Sequence, residues 1–209
     1  MRLISFEDGD RTGYGAVIGQ EVARLDCDPK LPTLKSYLAR YHGVLPAPES
    51  EIHLPLAGLQ LLPPIPDPSK IFCVATNYPT PAIREAGPPA FPLLFTRIAE
   101  AQVGGDRDLI KPDVSDRYDF EGELAVVIGL AGRHIPADTA MSHVAGYACF
   151  NEGSVRDWQK HSSQFTPGKN FAKSGSFGPW LVTVDEVPDP RDLVLTTRVN
   201  GQIMQYGEV

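Results

Sequence analysis

The sequence predicts an α+β protein that is β-rich, with many short strands. Glycine (19 residues) and proline (20 residues) are frequent in the 209-residue chain, and both residue types favour tight turns over long elements. Short apolar and β-branched runs recur between the turns, as in LISF, GAVIG and GELAVVIG, which is the pattern of strands. A chain of this length can bury one sizeable core, or one core with a small appendage.

Residues 1–65 are predicted to form a small N-terminal α+β domain. LISF, GAVIG and EVARL indicate strands, with a turn at Gly19-Gln20. TLKSYLARYHG predicts a helix, because its apolar and aromatic residues recur on one face, Thr33 can cap its start and Gly43 can end it. A proline-rich stretch at about 62–70 predicts a linker, and a second domain is expected over 70–209.

The second domain is predicted to hold most of the strands. KIFCVATNY indicates a buried strand and LLFTRI another, separated by a proline-rich loop with at most a short helix around Ala82 to Ala86. GELAVVIG, GYACF, FGPWLVTVDEV and LVLTTRVNGQIMQY indicate further strands, the last turning at Asn200-Gly201. A weak helix is expected around Ala137 to Val144. SVRDWQKH predicts another helix, with Ser154 as its N-cap and Asp157 completing a capping box.

Composition and charge exclude several classes of function. The net charge of −7 argues against a nucleic-acid partner, and no apolar run approaches the ~18 residues that a membrane span needs. Cys27, Cys73 and Cys149 lie far apart, so neither a disulfide framework nor a zinc-binding pattern is expected. The first residues contain no apolar signal-peptide region. A cytoplasmic location in a reducing compartment is therefore the simplest expectation.

Three carboxylates alternate along one predicted strand. In DRYDFEGELAVVIG, residues Asp119, Glu121 and Glu123 share one face, because side chains two apart on a strand point the same way. Two carboxylates about 4 Å apart repel by about 1 kcal/mol in water and about 4 kcal/mol at an effective dielectric of about 20. Water offsets this repulsion on an exposed face, and a cation such as Mg²⁺, Mn²⁺ or Ca²⁺ offsets it in a pocket. These residues alone leave both interpretations open.

Five blocks in a fixed order give the chain a resemblance to a known family. They are KIFCVATNY, DFEGELAVVIG, GYACFNEGSVRDWQ, GKNF with FGPWLVT, and VNGQIMQ. In this order they resemble the fumarylacetoacetate hydrolase (FAH) family from residue 70 onward, and residues 1–65 are similar to its small leading domain. The resemblance implies a mixed β-sandwich roll that holds one Mg²⁺ or Mn²⁺ ion. It also implies a homodimer, as in many members, and a small 2-oxo or 1,3-diketo acid as substrate.

The resemblance also implies a metal-ligand set. Glu121 and Glu123 match the first two ligands of the family. The third ligand position, usually an aspartate, holds Glu152 here, whose carboxylate reaches one methylene further. Asp119 matches a residue that supports the ligands. Mg²⁺ requires near-octahedral geometry, so the longer side chain of Glu152 is expected to shift or loosen the ion.

Substrate-binding and catalytic residues follow from the same resemblance. Arg156 and Gln159 match residues that face the substrate, and a planar guanidinium suits a carboxylate. Tyr78 belongs to the family pattern N-Y-x-x-H and is expected to bind substrate. Lys169 matches a lysine that stabilises developing negative charge on an enolate. Ordinary surface roles, with Arg156 paired to Asp157 and Lys169 solvated, remain the alternatives.

Two departures from the family pattern leave the chemistry open. The family's lid histidine is replaced by Pro81 in NYPTP, and Arg84 occupies the position of its partner glutamate. Glu85 or His161 would then have to act as the base, or water activation would lose the roughly 10²–10⁴-fold that a general base contributes. The family also continues past the Asn200-Gly201 hairpin through further strands, so the C-terminal part of the domain is expected to be missing.

The predicted function is a metal-dependent hydrolase that cleaves a carbon–carbon bond in a 1,3-diketo or 2-oxo acid. An acylpyruvate- or fumarylpyruvate-like compound of aromatic catabolism is the expected substrate. A decarboxylase or isomerase on the same metal site is the alternative, because both reactions depend less on a lid base. A catalytically impaired metal-binding member and a purely structural protein also remain. No nucleic-acid or membrane partner is expected.

Overall fold

The structure, a computed structural model, describes residues 1–42, 44–48, 50–78, 81–87 and 89–209. Its first part contains short strands and one helix. The strands are β1 Arg2–Asp8, β2 Arg11–Ile18, β3 Glu21–Arg24, β4 His53–Pro55 and β5 Gln60–Leu61, and the helix is α1 Leu34–Arg40.

The remainder of the chain is again mostly strands, which confirms the β-rich α+β prediction. The strands are β6 Ile71–Ala75, β7 Leu93–Arg97, β8 Gln102–Gly104, β9 Tyr118–Asp119, β10 Gly122–Ile128, β11 Val144–Asn151, β12 Ser154–Val155, β13 Gly175–Phe177, β14 Leu181–Thr183, β15 Val194–Val199 and β16 Gln202–Glu208. The helices are short: α2 Pro81–Ala86, α3 Arg156–Gln159 and α4 Thr166–Lys169, with 3₁₀ turns at Leu56–Gly58, Ala99–Ala101, Ala137–His143 and Pro190–Asp192.

One large sheet organises the molecule. Its strand order is β4-β3-β2-β1-β14-β11-β13-β8, with β5 paired to β1 and β10 paired to β11. The pairs are antiparallel except for β13 with β8. Leu3 of β1 lies opposite Leu181 of β14, so the N-terminal strands continue directly into those that follow. The division of the chain at 65–70 stays a prediction.

Helix α1 covers the core of this sheet. Leu34, Tyr37 and Leu38 are buried against Leu3 and Leu181. The helix begins as predicted, because the Thr33 hydroxyl accepts from the Ser36 backbone N–H in a capping box. It ends at Arg40, and the predicted stop at Gly43 lies outside the described residues.

The hairpin near the end of the chain forms where the sequence predicts it. Asn200 and Gly201 join β15 to β16 with φ angles of 51° and 82°, the left-handed conformation that a two-residue hairpin turn requires. The predicted helix around Ala137 to Val144 forms as a 3₁₀ helix over Ala137–His143. Among the described helices, none is both long and apolar enough to cross a membrane.

The prediction that β6 is a buried strand is wrong. Its side chains alternate between half-buried and exposed, with Phe72 62% and Val74 44% exposed. The reason lies in the pairing, since β6 pairs with β7 alone in a two-stranded sheet. Val126 and Ile128 of β10 are likewise 49% and 60% exposed. An apolar run predicts a strand, but the burial of its face depends on what packs against it.

Candidate metal centre

The pairing of β10 with β11 brings distant carboxylates together. Gly122 lies opposite Asn151 in the antiparallel register, and the backbone N–H of Glu152 donates to the carbonyl of Glu121 at 2.8 Å. Glu121 and Glu123 flank Gly122 at the start of β10, while Glu152 directly follows β11. The sheet therefore places the three glutamates side by side.

The three glutamates form a compact cluster. One carboxylate oxygen from each of Glu121, Glu123 and Glu152 lies within 4.8 Å of the others. Glu152 is only 4% exposed, and its Oε1 has no hydrogen-bond partner among the described residues. A buried carboxylate oxygen without a partner is costly, and all-oxygen donor sets suit Mg²⁺ and Mn²⁺. The residues present therefore fit a divalent cation.

Lys169 neutralises part of this negative charge. Its ammonium donates to both carboxylate oxygens of Glu121 at 2.9 Å and to Oε2 of Glu152 at 3.1 Å. The residue is 2% exposed and its Nζ lies 5.1 Å from the centre of the Phe95 ring. The alternative of an ordinary solvated lysine does not describe this side chain.

Arg156 lies at the open side of the cluster. Its Nε and Nη2 each lie 2.8 Å from Oδ2 of Asp119, its Nη1 contacts Glu121, and Nη1 donates to Oε1 of Gln159 at 3.1 Å. The alternative pairing with Asp157 is not formed, because Asp157 accepts from the Ser115 hydroxyl at 2.7 Å. Arg156 and Gln159 thus share one wall, next to the carboxylates.

The prediction that Ser154 caps helix α3 is wrong. Ser154 lies in β12, opposite Asp119 of β9, and α3 begins after Val155 without a side-chain cap. Its hydroxyl oxygen lies 2.9 Å from both Oε1 of Glu121 and the carbonyl of Glu152. A charged acceptor forms a stronger hydrogen bond than a neutral one. Ser154, a residue type that typically caps helices, therefore hydrogen-bonds to Glu121 of the cluster instead.

Tyr78 holds Glu123 from the other side. Its hydroxyl accepts from the backbone N–H of Leu124 at 3.0 Å and hydrogen-bonds to the Glu123 carboxylate. Burial, followed by the charge of Glu123, raises the pKa of Tyr78 to about 12. Tyr78 therefore remains a proton donor beside the cluster at neutral pH.

The three carboxylates differ in their affinity for protons. Burial raises the pKa of Glu123 to about 7, and the charges of Glu152 and Glu121 add to the effect. Burial also raises the pKa of Glu152. Burial opposes ionisation of Glu121 as well, but Lys169 and Arg156 outweigh it and lower the pKa of that carboxyl. A bound cation favours the ionised form of each ligand.

A cleft of about 1610 Å³ opens over the cluster. Its wall includes the three glutamates and the side chains of Tyr78, Arg156, Gln159 and Lys169. The volume exceeds the roughly 300–1,000 Å³ of typical small-molecule sites, since the cleft extends over the uncovered faces of β6 and β10. A small acid therefore has room to reach the carboxylates.

The two candidate bases lie apart from this wall. Glu85 is exposed on α2, and His161 is exposed with its ring centre 4.9 Å from that of Trp158. Neither belongs to the cleft lining found among the described residues. Their catalytic roles stay predictions. The side chains of Pro81 and Arg84, on which the lid argument depends, lie outside the described residues.

Two neighbours of Glu152 are not predicted from the sequence. The Cys73 thiol of β6 interacts with its carboxylate, and Nη1 of Arg97, at the end of β7, lies 3.8 Å from its Oε1. Burial raises the pKa of Cys73, and the Glu152 charge adds to this. No local motif marks either residue, because the tertiary packing that brings β6 and β7 to Glu152 joins distant stretches of chain.

Comparisons with known proteins agree on one family. The model described as "Fumarylacetoacetate (FAA) hydrolase C-terminal" matches residues 70–209. The mitochondrial oxaloacetate tautomerase FAHD2A of Homo sapiens is 36% identical over 99% of this chain and 70% of its own length. The fumarylacetoacetate hydrolase of Exiguobacterium antarcticum has a TM-score of 0.83 at 30% identity, over 100% of this chain and 75% of that one. A maleylpyruvate hydrolase of Sphingobium sp. SYK-6, solved with manganese(II) and pyruvate, has a TM-score of 0.79 at 27% identity, over 100% and 76%.

Proposed function

The chain belongs to the fumarylacetoacetate hydrolase family, and we propose that it is a metal-dependent enzyme that interconverts the keto and enol forms of a small 2-oxo acid. One observation carries the proposal: three carboxylates lie at one wall of a cleft, in contact with two cationic side chains, Lys169 and Arg156. A 2-oxo dicarboxylic acid such as oxaloacetate, named for several relatives, is the substrate we expect.

The metal ligands in this proposal are Glu121, Glu123 and Glu152. When bound there, Mg²⁺ or Mn²⁺ supplies a Lewis acid that polarises a carbonyl oxygen. Manganese is supported by the solved maleylpyruvate hydrolase complex, and the carboxylate donors suit either ion. The ion would also add positive charge to a site that must attract an anionic substrate into an acidic protein.

The protein's own side chains bind the acid and balance its charge. Arg156 offers a planar guanidinium to a substrate carboxylate, and Gln159, held to it at 3.1 Å, offers an amide beside it. Lys169 is fixed and buried, so its ammonium can stabilise negative charge on an enolate oxygen without reorganisation. Tyr78 and Lys169 carry exchangeable protons at the cleft wall.

Keto–enol exchange fits these groups better than hydrolysis. It moves one proton between the carbonyl oxygen and the neighbouring carbon, and it requires no attack by water. Hydrolysis needs a positioned base to activate water, and the described part of the cleft wall includes neither Glu85 nor His161. Electrostatic stabilisation of the enolate is the larger requirement for tautomerisation, and Lys169 provides it.

Hydrolysis of a carbon–carbon bond in an acylpyruvate-like acid is the second candidate. It is favoured by the solved relatives, which include fumarylacetoacetate and maleylpyruvate hydrolases. Glu85 or His161 would then have to reach the cleft.

We also expect a homodimer in a reducing compartment such as the cytoplasm. The uncovered apolar side chains of β6 and β10 and three unpaired cysteines support this expectation.

The test follows the ultraviolet absorbance of enol-oxaloacetate as it converts to the keto form. Wild-type protein, Glu121→Gln and Glu51→Gln are compared with Mn²⁺, with Mg²⁺ and with EDTA. Glu51→Gln makes the same change at an exposed position and serves as the control. Acceleration that needs the metal and is lost only in Glu121→Gln supports the proposal.

Acylpyruvates are assayed in parallel for the release of pyruvate. Metal-dependent release without keto–enol activity would favour the hydrolase instead. Metal binding without turnover of either substrate would indicate a metal-binding protein without this catalytic activity. A folded wild type that binds neither metal would refute the metal centre altogether.

A further inference from the structure

Arg97 is a buried cation underneath the metal centre. Its side chain is 0% exposed, although arginine is almost never fully buried unless it is paired. Its Nη1 donates to the carbonyl of Gly153 at 3.0 Å, and its Nη2 donates to the Ser174 hydroxyl at 3.3 Å. The guanidinium also lies 5.8 Å from the centre of the Phe150 ring. Arg97 is therefore fixed to the loop that carries Glu152.

The Glu152 carboxylate lies between two buried cations. Nη1 of Arg97 is 3.8 Å from Oε1, and Nζ of Lys169 is 3.1 Å from Oε2. The Cys73 thiol and the Glu121 and Glu123 carboxylates are further titratable groups that act on it. Each oxygen of the carboxylate thus has one cation on its own side, which defines the orientation of the group.

The backbone at Gly175 approaches the Arg97 guanidinium closely. A Cβ atom at Gly175 would lie 2.6 Å from its Nη2 and 2.8 Å from Oε1 of Gln102. A Cβ atom at Gly153 would collide with the carbonyl of Ser174. A side chain at either glycine would clash, and Arg97 itself is anchored by its hydrogen bonds to Gly153 and Ser174.

From this geometry we propose that Arg97 is a positioning residue that orients Glu152 for metal binding. The inference rests on the proposed metal centre. Glutamate has one more rotatable bond than aspartate, so holding its carboxylate in one place costs more conformational entropy. A cation 3.8 Å from one oxygen, itself hydrogen-bonded to the adjoining carbonyl of Gly153, restricts that freedom in advance. Arg97 thereby allows this chain to use a glutamate as the third ligand.

Removal of the charge separates positioning from simple electrostatics. A cation near a metal site repels the metal, so electrostatics alone predicts that Arg97→Gln binds Mn²⁺ more tightly. Positioning predicts the opposite, a loss of about 10- to 100-fold, as is typical for residues that orient metal ligands. Arg97→Lys keeps the charge but cannot hold Gly153 and Ser174 together, so its loss should be intermediate.

The experiment is a titration of Mn²⁺ itself into metal-stripped protein, followed by calorimetry and by the electron paramagnetic resonance signal of free Mn²⁺. The variants are Arg97→Gln, Arg97→Lys, Glu152→Asp and the double variant Arg97→Gln with Glu152→Asp. Arg11→Gln removes the same charge at an exposed position and is the control. If Arg97→Gln does not fold, Arg97→Lys carries the test.

Two outcomes support the proposal together: weaker binding by Arg97→Gln, and a smaller effect of the same change in the Glu152→Asp background. Unchanged or tighter binding by the folded Arg97 variants, or additive effects in the double variant, would overturn it. A cycle of Arg97→Gln and Glu152→Gln in EDTA measures the contact without metal. Non-additive shifts in Tm in this cycle would show that the contact between Arg97 and Glu152 exists. If the wild type also bound no Mn²⁺, the contact would stand and the proposed function would be rejected.

Discussion

The ammonium of Lys169 lies 2.9 Å from each carboxylate oxygen of Glu121. It reaches the third glutamate of the cluster as well, at 3.1 Å from Oε2 of Glu152. A buried lysine needs such partners, because an unpaired ammonium is expensive to remove from water. The same arrangement lowers the pKa of Glu121 against the effect of burial. Lys169 is therefore both a structural counterion and, in the proposed function, a cation beside the substrate.

Replacement of Lys169 by methionine should destabilise the protein and abolish activity. In EDTA, Glu121 and Glu152 would lose a buried partner, and breaking a buried ion pair costs about 3–5 kcal/mol. Urea unfolding measures the free energy of unfolding, and the oxaloacetate assay measures the activity. Lys30→Met, at an exposed position, should change the free energy of unfolding by no more than about 0.5 kcal/mol. A Lys169→Met variant as stable as wild type would show that the ion pairs contribute nothing.

The metal-free protein should lose stability as the pH rises from about 4.5 to about 7. The pKa of Glu123 is raised from 4.5 to about 7 in the folded state, so over this interval the folded protein binds more protons than the unfolded chain. Stability falls with pH under that condition. Burial raises the pKa of Glu152 too, which adds to the slope. The lowered pKa of Glu121 contributes stability above its ordinary pKa, which is lost at more acidic pH.

Thermal unfolding in EDTA at several pH values within this interval checks the sign. Glu123→Gln should reduce the fall in Tm, whereas Glu51→Gln should leave it unchanged. Addition of Mn²⁺ at the upper end should raise Tm again, because metal ligands bind in their deprotonated form. A Tm that rises with pH across the interval in EDTA would contradict the assignment.

Replacement of Arg156 by lysine should impair substrate binding. Lysine keeps the charge but loses the planar fork, which here reaches Asp119, Glu121 and Gln159 at once. A hydrogen bond to a charged group contributes about 1.5–3 kcal/mol, which corresponds to an increase in KM of roughly tenfold or more. The measurement is KM and kcat for oxaloacetate at saturating Mn²⁺, with Mn²⁺ affinity measured separately because Arg156 also contacts Glu121. A fall in kcat with unchanged KM would assign Arg156 to the chemical step instead.

The sequence predicts the elements better than their surroundings. Strand alternation predicts Glu121 and Glu123 on one face, and the resemblance adds Glu152, which directly follows β11. The hairpin turn at Asn200-Gly201 and the helix cap at Thr33 depend on the backbone of neighbouring residues, so a few consecutive residues suffice to predict them. Arg97 and the exposure of β6 could not be predicted in this way. Both depend on which distant elements pack together, and that information is spread over the whole chain.

Ser154 shows the limit of a local rule, and it carries the last prediction. Its side chain is 0% exposed, and the hydroxyl lies 2.9 Å from Glu121 rather than on the backbone of α3. Ser154→Ala should lower the free energy of unfolding by about 1.5–3 kcal/mol, since the bond has a charged acceptor. It should also weaken Mn²⁺ binding by about 10-fold or more, since Ser154 orients a metal ligand.

Thr33→Ala provides the matched control. Thr33 caps α1 and is not itself one of the residues that line the cleft, so its loss should cost about 1 kcal/mol and leave Mn²⁺ affinity unchanged. A true helix cap at Ser154 would behave like Thr33, with lower stability and normal metal binding. If Ser154→Ala, unlike Thr33→Ala, lowers both the free energy of unfolding and the affinity for Mn²⁺, the hydroxyl belongs to the metal centre. A hydrogen-bond partner of Glu121 affects both quantities, whereas a helix cap affects stability alone.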